Sequence, residues 1–430
     1  MLFRRRHHLR RHSAWAGILR TLGPGLITGA SDDDPSGIAT YSQAGAQYGF
    51  NMTWVMLFTY PLMAAIQEIS ARIGRVTGKG IAANLREHYP PSVLRVMVSL
   101  LVIANFINLG ADLGAMGDAV RLLIGGPVGL YVVAFAAFST TLEIFASYQR
   151  YVAYLKWSTL ALFAYVATAL VTDVPWAEVV RSTFVPDILW HQDYIVVIVA
   201  VLGTTISPYM FFWQASEEAE DERVDLKAHP LIEAPCEARR EIRRIEIDTY
   251  IGMGLSNVIS AFIIITTAAT LHAHGITNVQ TSEQAAEALR PIAGEFAFTI
   301  FALGILGTGL LAVPVLAGSA AYALAEAMDW SAGLSRAPQD AKRFYATIVA
   351  GTVIGIGINF VNIDPITALF WTAVINGVVA VPLMIVMMIM TMQPKVMGQF
   401  TLPRPLQVVG WISTAAMTAA VAIMFATWGG

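Results

Sequence analysis

A single cysteine, Cys236, leaves this sequence with no disulfide partner and no thiol pair for a soft-metal or iron–sulfur site. Its eight histidines show no ligand spacing and lie mostly at the amino terminus or in connecting segments, so no zinc-type enzyme site is spelled out. No nucleophile and base fall into a catalytic constellation either. Charge is scarce as well. Asp, Glu, Lys and Arg make up 13% of the 430 residues, against 56% hydrophobic residues and a mean hydropathy of +0.59. Soluble domains carry about 25% charged residues, so this composition excludes one and specifies a polytopic membrane protein whose first partner is the lipid bilayer. The net charge of −3 is small, and nothing points to a nucleic-acid partner.

Apolar spans recur at about 23–49, 52–74, 94–122, 128–147, 152–173, 194–216, 249–272, 295–328, 344–361, 364–391 and 405–427, which predicts eleven transmembrane helices. Residues 1–22 carry Arg4, Arg5, Arg6, Arg10, Arg11 and Arg20, with no short apolar core and small-residue cleavage site behind them. They read as a cytoplasmic tail, not a secretory signal. With that end inside, Arg72, Arg75, Lys79, Arg86, Arg95, Arg150, Lys156, the cluster Arg223 to Arg244, Arg336, Lys342, Arg343, Lys395 and Arg404 all fall on the cytoplasmic side. Only Arg121, Arg181 and Arg290 fall outside, a division that the positive-inside rule turns into an orientation: amino terminus in, carboxyl terminus out, in the cell's cytoplasmic membrane. Residues 217–248 read as a charged cytoplasmic loop, and 273–294 as an external one with a short amphipathic helix from Ser282 to Leu289.

The first span carries Asp32, Asp33, Asp34, Pro35, Ser36 and Gly37 in its middle. Carboxylates at bilayer depth cost several kcal/mol each, about 2.5–3.5 on insertion scales, so they persist only where they face a cavity, a counter-charge or an ion. Pro35 disfavours helical geometry in Asp34, and Ser36 and Gly37 resist re-nucleation, so the helix breaks there. Backbone freed in this way is tolerated in a membrane only where it lines a cavity or is buried in protein. A short loop between helices is the plainer reading of an Asp-rich Pro/Gly cluster. It requires flanks of about 20 residues on each side, which this span does not have.

A second break lies in the sixth span, at Gly203-Thr-Thr-Ile-Ser-Pro-Tyr209, and that span runs in the opposite direction to the first. Oppositely directed broken helices five spans apart imply a five-plus-five inverted repeat: 23–173, then 194–391 including the loop 217–248, with 405–427 appended as an eleventh helix. Substrate is expected where the two breaks face each other near the midplane.

The residues Thr28-Gly-Ala-Ser-Asp-Asp-Asp-Pro-Ser-Gly37 resemble the first-helix motif of the Nramp divalent-metal transporters, Asp-Pro-Gly-Asn. Gln67-Glu-Ile-Ser-Ala-Arg-Ile-Gly-Arg-Val-Thr-Gly-Lys79, with Leu85-Arg-Glu-His-Tyr-Pro90, is similar to that family's second helix and following loop, and Gly203 to Tyr209 occupies the place of its sixth-helix Met-Pro-His motif. The resemblance implies an all-α LeuT-type fold, alternating access, and a divalent cation bound between helices one and six as substrate, with no separate cofactor. Asp34 and Pro35 keep the family's Asp-Pro, but Ser36 stands at its Gly and Gly37 at its Asn; Ser207 replaces the Met and Tyr209 the His. Loss of the thioether and gain of carboxylates favour hard ions such as Mg²⁺, which also retains water. In this respect the sequence resembles the Nramp-related magnesium transporters, which carry Mg²⁺ and Mn²⁺. Asp34 is the implied primary ligand, with Ser207, Tyr209 and the Thr204 carbonyl around it. Asp32 and Asp33 cannot both join it without strain, and one of them is expected to cap the half-helix that follows.

Other buried polar residues invite the same weighing. Glu68, Asn105, Asn108, Asp112, Asp118, Glu143 and Asn376 lie within spans, where hydrogen bonding between helices is the plain reading and a coupling or supporting role the sharper one. Asn108 and Asp112 share a helix face. The resemblance puts Asp112 in line with an acidic group of the family's proton route and Asn108 near the other, and an amide cannot titrate, so flux is expected not to be proton-driven. A proton-coupled Mn²⁺ or Fe²⁺ transporter is the alternative, with an amino-acid or organic-solute carrier of the same architecture behind it. Three aspartates oppose an anionic substrate. A metalloenzyme or a non-transporting scaffold would leave the paired breaks unexplained. Oligomeric state is open, a monomer being sufficient.

Overall fold

In a computed structural model, residues 29, 32–145, 158–224, 228–361 and 363–428 are described. The expected tail and the first half of span one lie outside them, as do Arg150, Lys156 and Asn362.

Regular structure among the described residues is helical: α1 Pro35–Tyr48, α2 Thr53–Thr77, α3 Ile81–His88, α4 Pro91–Ile124, α5 Val128–Phe145, α6 Phe163–Val171, α7 Trp176–Phe184, α8 Gln192–Thr205, α9 Pro208–Val224, α10 Ala238–Thr270, α11 Ser282–Glu287, α12 Ala297–Ala327, α13 Lys342–Ile358, α14 Pro365–Thr391 and α15 Arg404–Ala426. Eight stretches among these residues are long and apolar enough to cross a membrane, or nine with the pair Leu160–Val171 and Trp176–Phe184, bent by 113°. With that pair counted, the shortfall from eleven has two sources. α1 and α2 run through the 3-10 turn Gly49–Met52 into one apolar stretch, and α13, at 17 residues, is just short of a full span.

Helices five spans apart pack on each other: α1 on α8, α2 on α10, α4 on α12 and α5 on α13. Such pairing is what two superposed repeats of opposite direction produce, and the fold is the LeuT-type five-plus-five inverted repeat with α15 appended against α2, α8 and α14. Small residues set the approach of these helices. A β-carbon on Gly203 would overlap the Ala373 carbonyl oxygen and stand 2.5 Å from the Gly377 amide nitrogen, so α8 and α14 touch backbone to backbone.

The stretch 217–248 is mostly helix, since α9 continues to Val224 and α10 begins at Ala238. Five of its carboxylates face arginines, while Glu217 and Glu220 meet the Tyr322 hydroxyl. Arg75 of α2 lies 2.6 Å from Glu222, with Glu237 and Glu241 each at 3.5 Å; Arg244 pairs with Glu218 and, at 3.1 Å, with Glu241; Arg72 meets Glu68 at 2.6 Å and Glu246 at 2.9 Å. Acidic residues that read as a solvated loop are instead held helical by partners from α2 and α10. The short helix α11 begins with a Thr281/Gln284 capping box.

Candidate metal site

Pro35 occupies the first helical position of α1, and its ring holds Asp34 extended, at φ −67° and ψ 171°, as an N-cap requires. Asp34 Oδ1 accepts from the Gly37 amide at 2.7 Å and from the Ser36 hydroxyl at 2.6 Å. Capping was expected of Asp32 or Asp33; Asp34 performs it, because only the residue directly before the proline reaches the open amides. Its second oxygen is thereby turned outward. Oδ2 accepts from Asn108 Nδ2 of α4 at 3.3 Å and from the Tyr209 hydroxyl of α9 at 3.2 Å.

The second break brings Tyr209 there. α8 ends at Ile206, with φ −117° and ψ 58°, and α9 restarts at Pro208, so Tyr209 sits in its first turn facing the start of α1. Ser207 turns back: its hydroxyl donates to the Gly203 and Thr204 carbonyls, each at 2.8 Å. Each of those carbonyls keeps a second lone pair. The Thr204 hydroxyl lies 3.4 Å from Ser36 Oγ, and a β-carbon on Gly37 would stand 3.3 Å from it, so the missing side chain lets α1 approach α8. Asp34, Ser36, Asn108, Thr204 and Tyr209 are all buried.

Asp32 and Asp33 face elsewhere. Ser256 of α10 donates to Asp32 Oδ2 at 2.5 Å and lies 3.1 Å from Asp33 Oδ1, which the Ser260 hydroxyl also reaches at 3.1 Å. Among the described residues no three His, Cys, Asp or Glu side chains converge as a metal cluster. What surrounds Asp34 is instead a set of hard oxygen and amide groups short of donors. Asn108 Oδ1 and both oxygens of Asp112, one turn along α4, are buried with no hydrogen-bond partner. Such acceptors fit a cation.

The remaining candidates are dispersed. Glu68 pairs with Arg72 at the arginine-rich end. Asn105 donates to the Leu316 carbonyl at 3.1 Å, tying α4 to α12, and Asp118 pairs with Arg121 at 2.5 Å. Glu143 of α5 is buried with both oxygens unpartnered and makes no bond to Asp34, and Asn376 of α14 is buried with its amide nitrogen unpartnered. Sequence reasoning missed Ser36, Ser256 and Ser260; two serines four apart in an otherwise apolar span are the signal that would have found the α10 pair. Further along α1, roughly 13 Å beyond Asp34 at the helical rise, Gln43 lines a cavity of about 440 Å³ with Gln47, Gln192, Asp193, Asn278 and Trp371.

Comparison with known proteins follows this geometry. A family model described as "Natural resistance-associated macrophage protein-like" (Nramp) matches residues 25–427. The divalent metal cation transporter MntH of Caldanaerobacter subterraneus subsp. tengcongensis is 26% identical over 415 residues, covering 91% of this chain and 90% of its own. The fold is similar to a crystal structure of the Eremococcus coleocola manganese transporter (TM-score 0.73, 17% identity, 97% of this chain and 89% of that one). It is also similar to Mhp1, a nucleobase-cation-symport-1 family transporter (TM-score 0.56, 14% identity, 95% and 93%).

Proposed function

We propose that this chain, which belongs to the Nramp family, moves a hard divalent cation, Mg²⁺ or Mn²⁺, across the cell membrane by alternating access, with Asp34 as its primary ligand. The observation that carries the reading is the position of Asp34 Oδ2 between Asn108 of α4 and Tyr209 of α9, beside buried acceptor oxygens that lack donors. A carboxamide and a phenol reach that oxygen and a hydroxyl reaches its twin, and among the described residues no thioether or imidazole hydrogen-bonds to Asp34. This set suits Mg²⁺ and Mn²⁺ over softer metals, as in the magnesium-carrying branch of the family. Asp34 binds the ion, Asn108 and Tyr209 orient the carboxylate oxygen that does not cap α1, and the Thr204 carbonyl completes the shell from α8. The ion is the substrate. No resident cofactor is needed.

Alternating access then follows from the two ends of the bundle. The arginine-rich end, which we take as cytoplasmic, is tied shut by Arg75–Glu222 and Arg244–Glu218, while the carboxamide-lined cavity at the other end is the entry. A cation settling between α1, α4 and α9 rewards closure of the entry and prepares release of the ion pairs.

Uptake of Mg²⁺, Mn²⁺ and Ca²⁺ into proteoliposomes, run beside Asp34→Ala, tests the reading. Saturable Mg²⁺ or Mn²⁺ entry abolished by the substitution is expected; entry that survives it would remove the site. A second reading, a proton-coupled Mn²⁺ transporter, draws on Asp112, an unpartnered carboxylate one turn from Asn108, and on relatives named as divalent metal cation transporters. Acidification of the vesicle lumen in step with metal entry would favour it.

A further inference from the structure

Asp32 and Asp33 carry a shortage of hydrogen-bond donors that the cargo ion does not relieve. The Ser256 hydroxyl lies 2.5 Å from Asp32 Oδ2 and 3.1 Å from Asp33 Oδ1, and a hydroxyl has one proton, so it serves one of them at a time. Ser260 Oγ lies 3.1 Å from Asp33 Oδ1 and 3.0 Å from the Ser256 carbonyl, a second single proton with two claimants. Asp32 Oδ1 has no partner. Two carboxylates that are 0% and 3% exposed therefore draw, among the described residues, on the hydroxyls of Ser256 and Ser260 as side-chain donors. Among the described residues no Lys, Arg or His forms an ion pair with Asp32, Asp33, Asp34 or Asp112.

We propose that Asp32, Asp33, Ser256 and Ser260 hold a second cation, monovalent and sodium-like, between α1 and α10. The geometry suits it. When the Ser260 proton goes to the Ser256 carbonyl, the hydroxyl's lone pairs are free to face an ion, and Ser256 does the same once its proton leaves the carboxylates. The Tyr41 hydroxyl, buried beside Ser260 and making no hydrogen bond of good geometry, supplies a further oxygen. Every one of these groups is buried, so the ion must shed its water. Mg²⁺ resists that and is seldom held in an all-protein cage. A second dication would also be repelled by the cargo about twice as strongly as a monocation, since the energy scales with the product of the charges.

The consequence is coupling. The monovalent ion fastens the broken end of α1 to α10, and the cargo fastens it to α4 and α9, so ordering α1 for one prepares it for the other and each tightens the other's binding. This coupling rests on the reading of Asp34 as the cargo ligand; the binding itself does not.

Equilibrium binding of ²²Na⁺ to the purified full chain in detergent, without divalent ions, is the test. One saturable site per chain is expected, weakened about tenfold in Ser260→Ala by loss of a ligand to a charged group and within about threefold of wild type in Ser260→Thr, with Mn²⁺ increasing ²²Na⁺ retention. Absence of saturable ²²Na⁺ binding by the wild-type chain overturns the proposal, as does competitive displacement by Mn²⁺ together with loss in Asp34→Ala, which would make it the cargo site. Two Mn²⁺ per chain, one of them removed by Ser260→Ala, overturns it too, and so does equal weakening in the Thr and Ala variants. A negative sodium result leaves Asp34-dependent metal uptake standing, and failed uptake leaves the sodium result standing.

Discussion

The Tyr209 hydroxyl donates to Asp34 Oδ2 across 3.2 Å, joining two interrupted spans that are 175 residues apart in the chain. The bond forms where the two helix breaks meet. Pro35 turns one oxygen of Asp34 to its own helix and the other outward, and Pro208 restarts α9 with Tyr209 in its first turn.

Tyr209→Phe removes this donor and leaves the ring in place. A hydrogen bond to a charged group is worth about 1.5–3 kcal/mol, so the KM for Mn²⁺ uptake should rise roughly tenfold while the protein still folds. Concentration-dependent uptake in proteoliposomes measures it, and an unchanged KM would detach Tyr209 from the cargo.

Gly203→Ala places a methyl group on the backbone of α14, where neither the Ala373 carbonyl nor the Gly377 amide can move aside without shifting a helix. Overpacking of this kind costs about 1–3 kcal/mol. A lower unfolding temperature in detergent and a reduced rate of metal uptake are expected together; a wild-type melting curve would show that the two helices separate freely.

Arg75→Gln breaks the pairing with Glu222 at a position where both side chains are 4% exposed. Removing one partner of a buried pair costs about 3–5 kcal/mol. Because the arginine clamps α2 to α9 and to the start of α10, faster amide hydrogen exchange across 218–224 and 238–244 should result, with a smaller effect in Arg75→Lys. Unaltered exchange would mean that these ion pairs do not hold that end closed.

Asn108 supplies an amide to Asp34 where a second titrating group would be needed to relay a proton directly from the cargo carboxylate. Mn²⁺ uptake should therefore proceed without acidification of the vesicle lumen and change less than about twofold on adding a protonophore at clamped membrane potential. A pH-sensitive dye reports the outcome. Acidification in step with uptake would transfer the coupling role to Asp112.

Much of the fold was legible from local signals. Apolar length marks spans whether or not they pack, proline and small residues mark breaks, and from 53 onward the expected spans overlap described helices, the fifth only over Phe163–Val171, since 152–157 lie outside the described residues. The acidic run Glu217 to Glu222 was misjudged for a physical reason: charge density predicts a loop unless oppositely charged side chains from distant helices arrive, and Arg75 and Arg244 do so. At the site, Asp34, Tyr209 and Asn108 were all legible as candidates, but the hydrogen bonds that join them were not. Whether a carboxylate caps a helix, binds a partner or does both depends on which way each oxygen points. Ser207, expected from the resemblance to be a ligand, spends its proton on its own helix end.

By itself the sequence determined that this chain lives in a bilayer, where its two spans break, and that a carboxylate stands at the first break, because hydrophobic length and backbone chemistry act over a few neighbouring residues. Only the tertiary structure decided that Asp34 faces α4 and α9 while Asp32 and Asp33 face the serines of α10. Three adjacent aspartates are chemically alike, and what separates them is which helix packs on each side of the break, a matter of contacts between segments more than 70 residues apart.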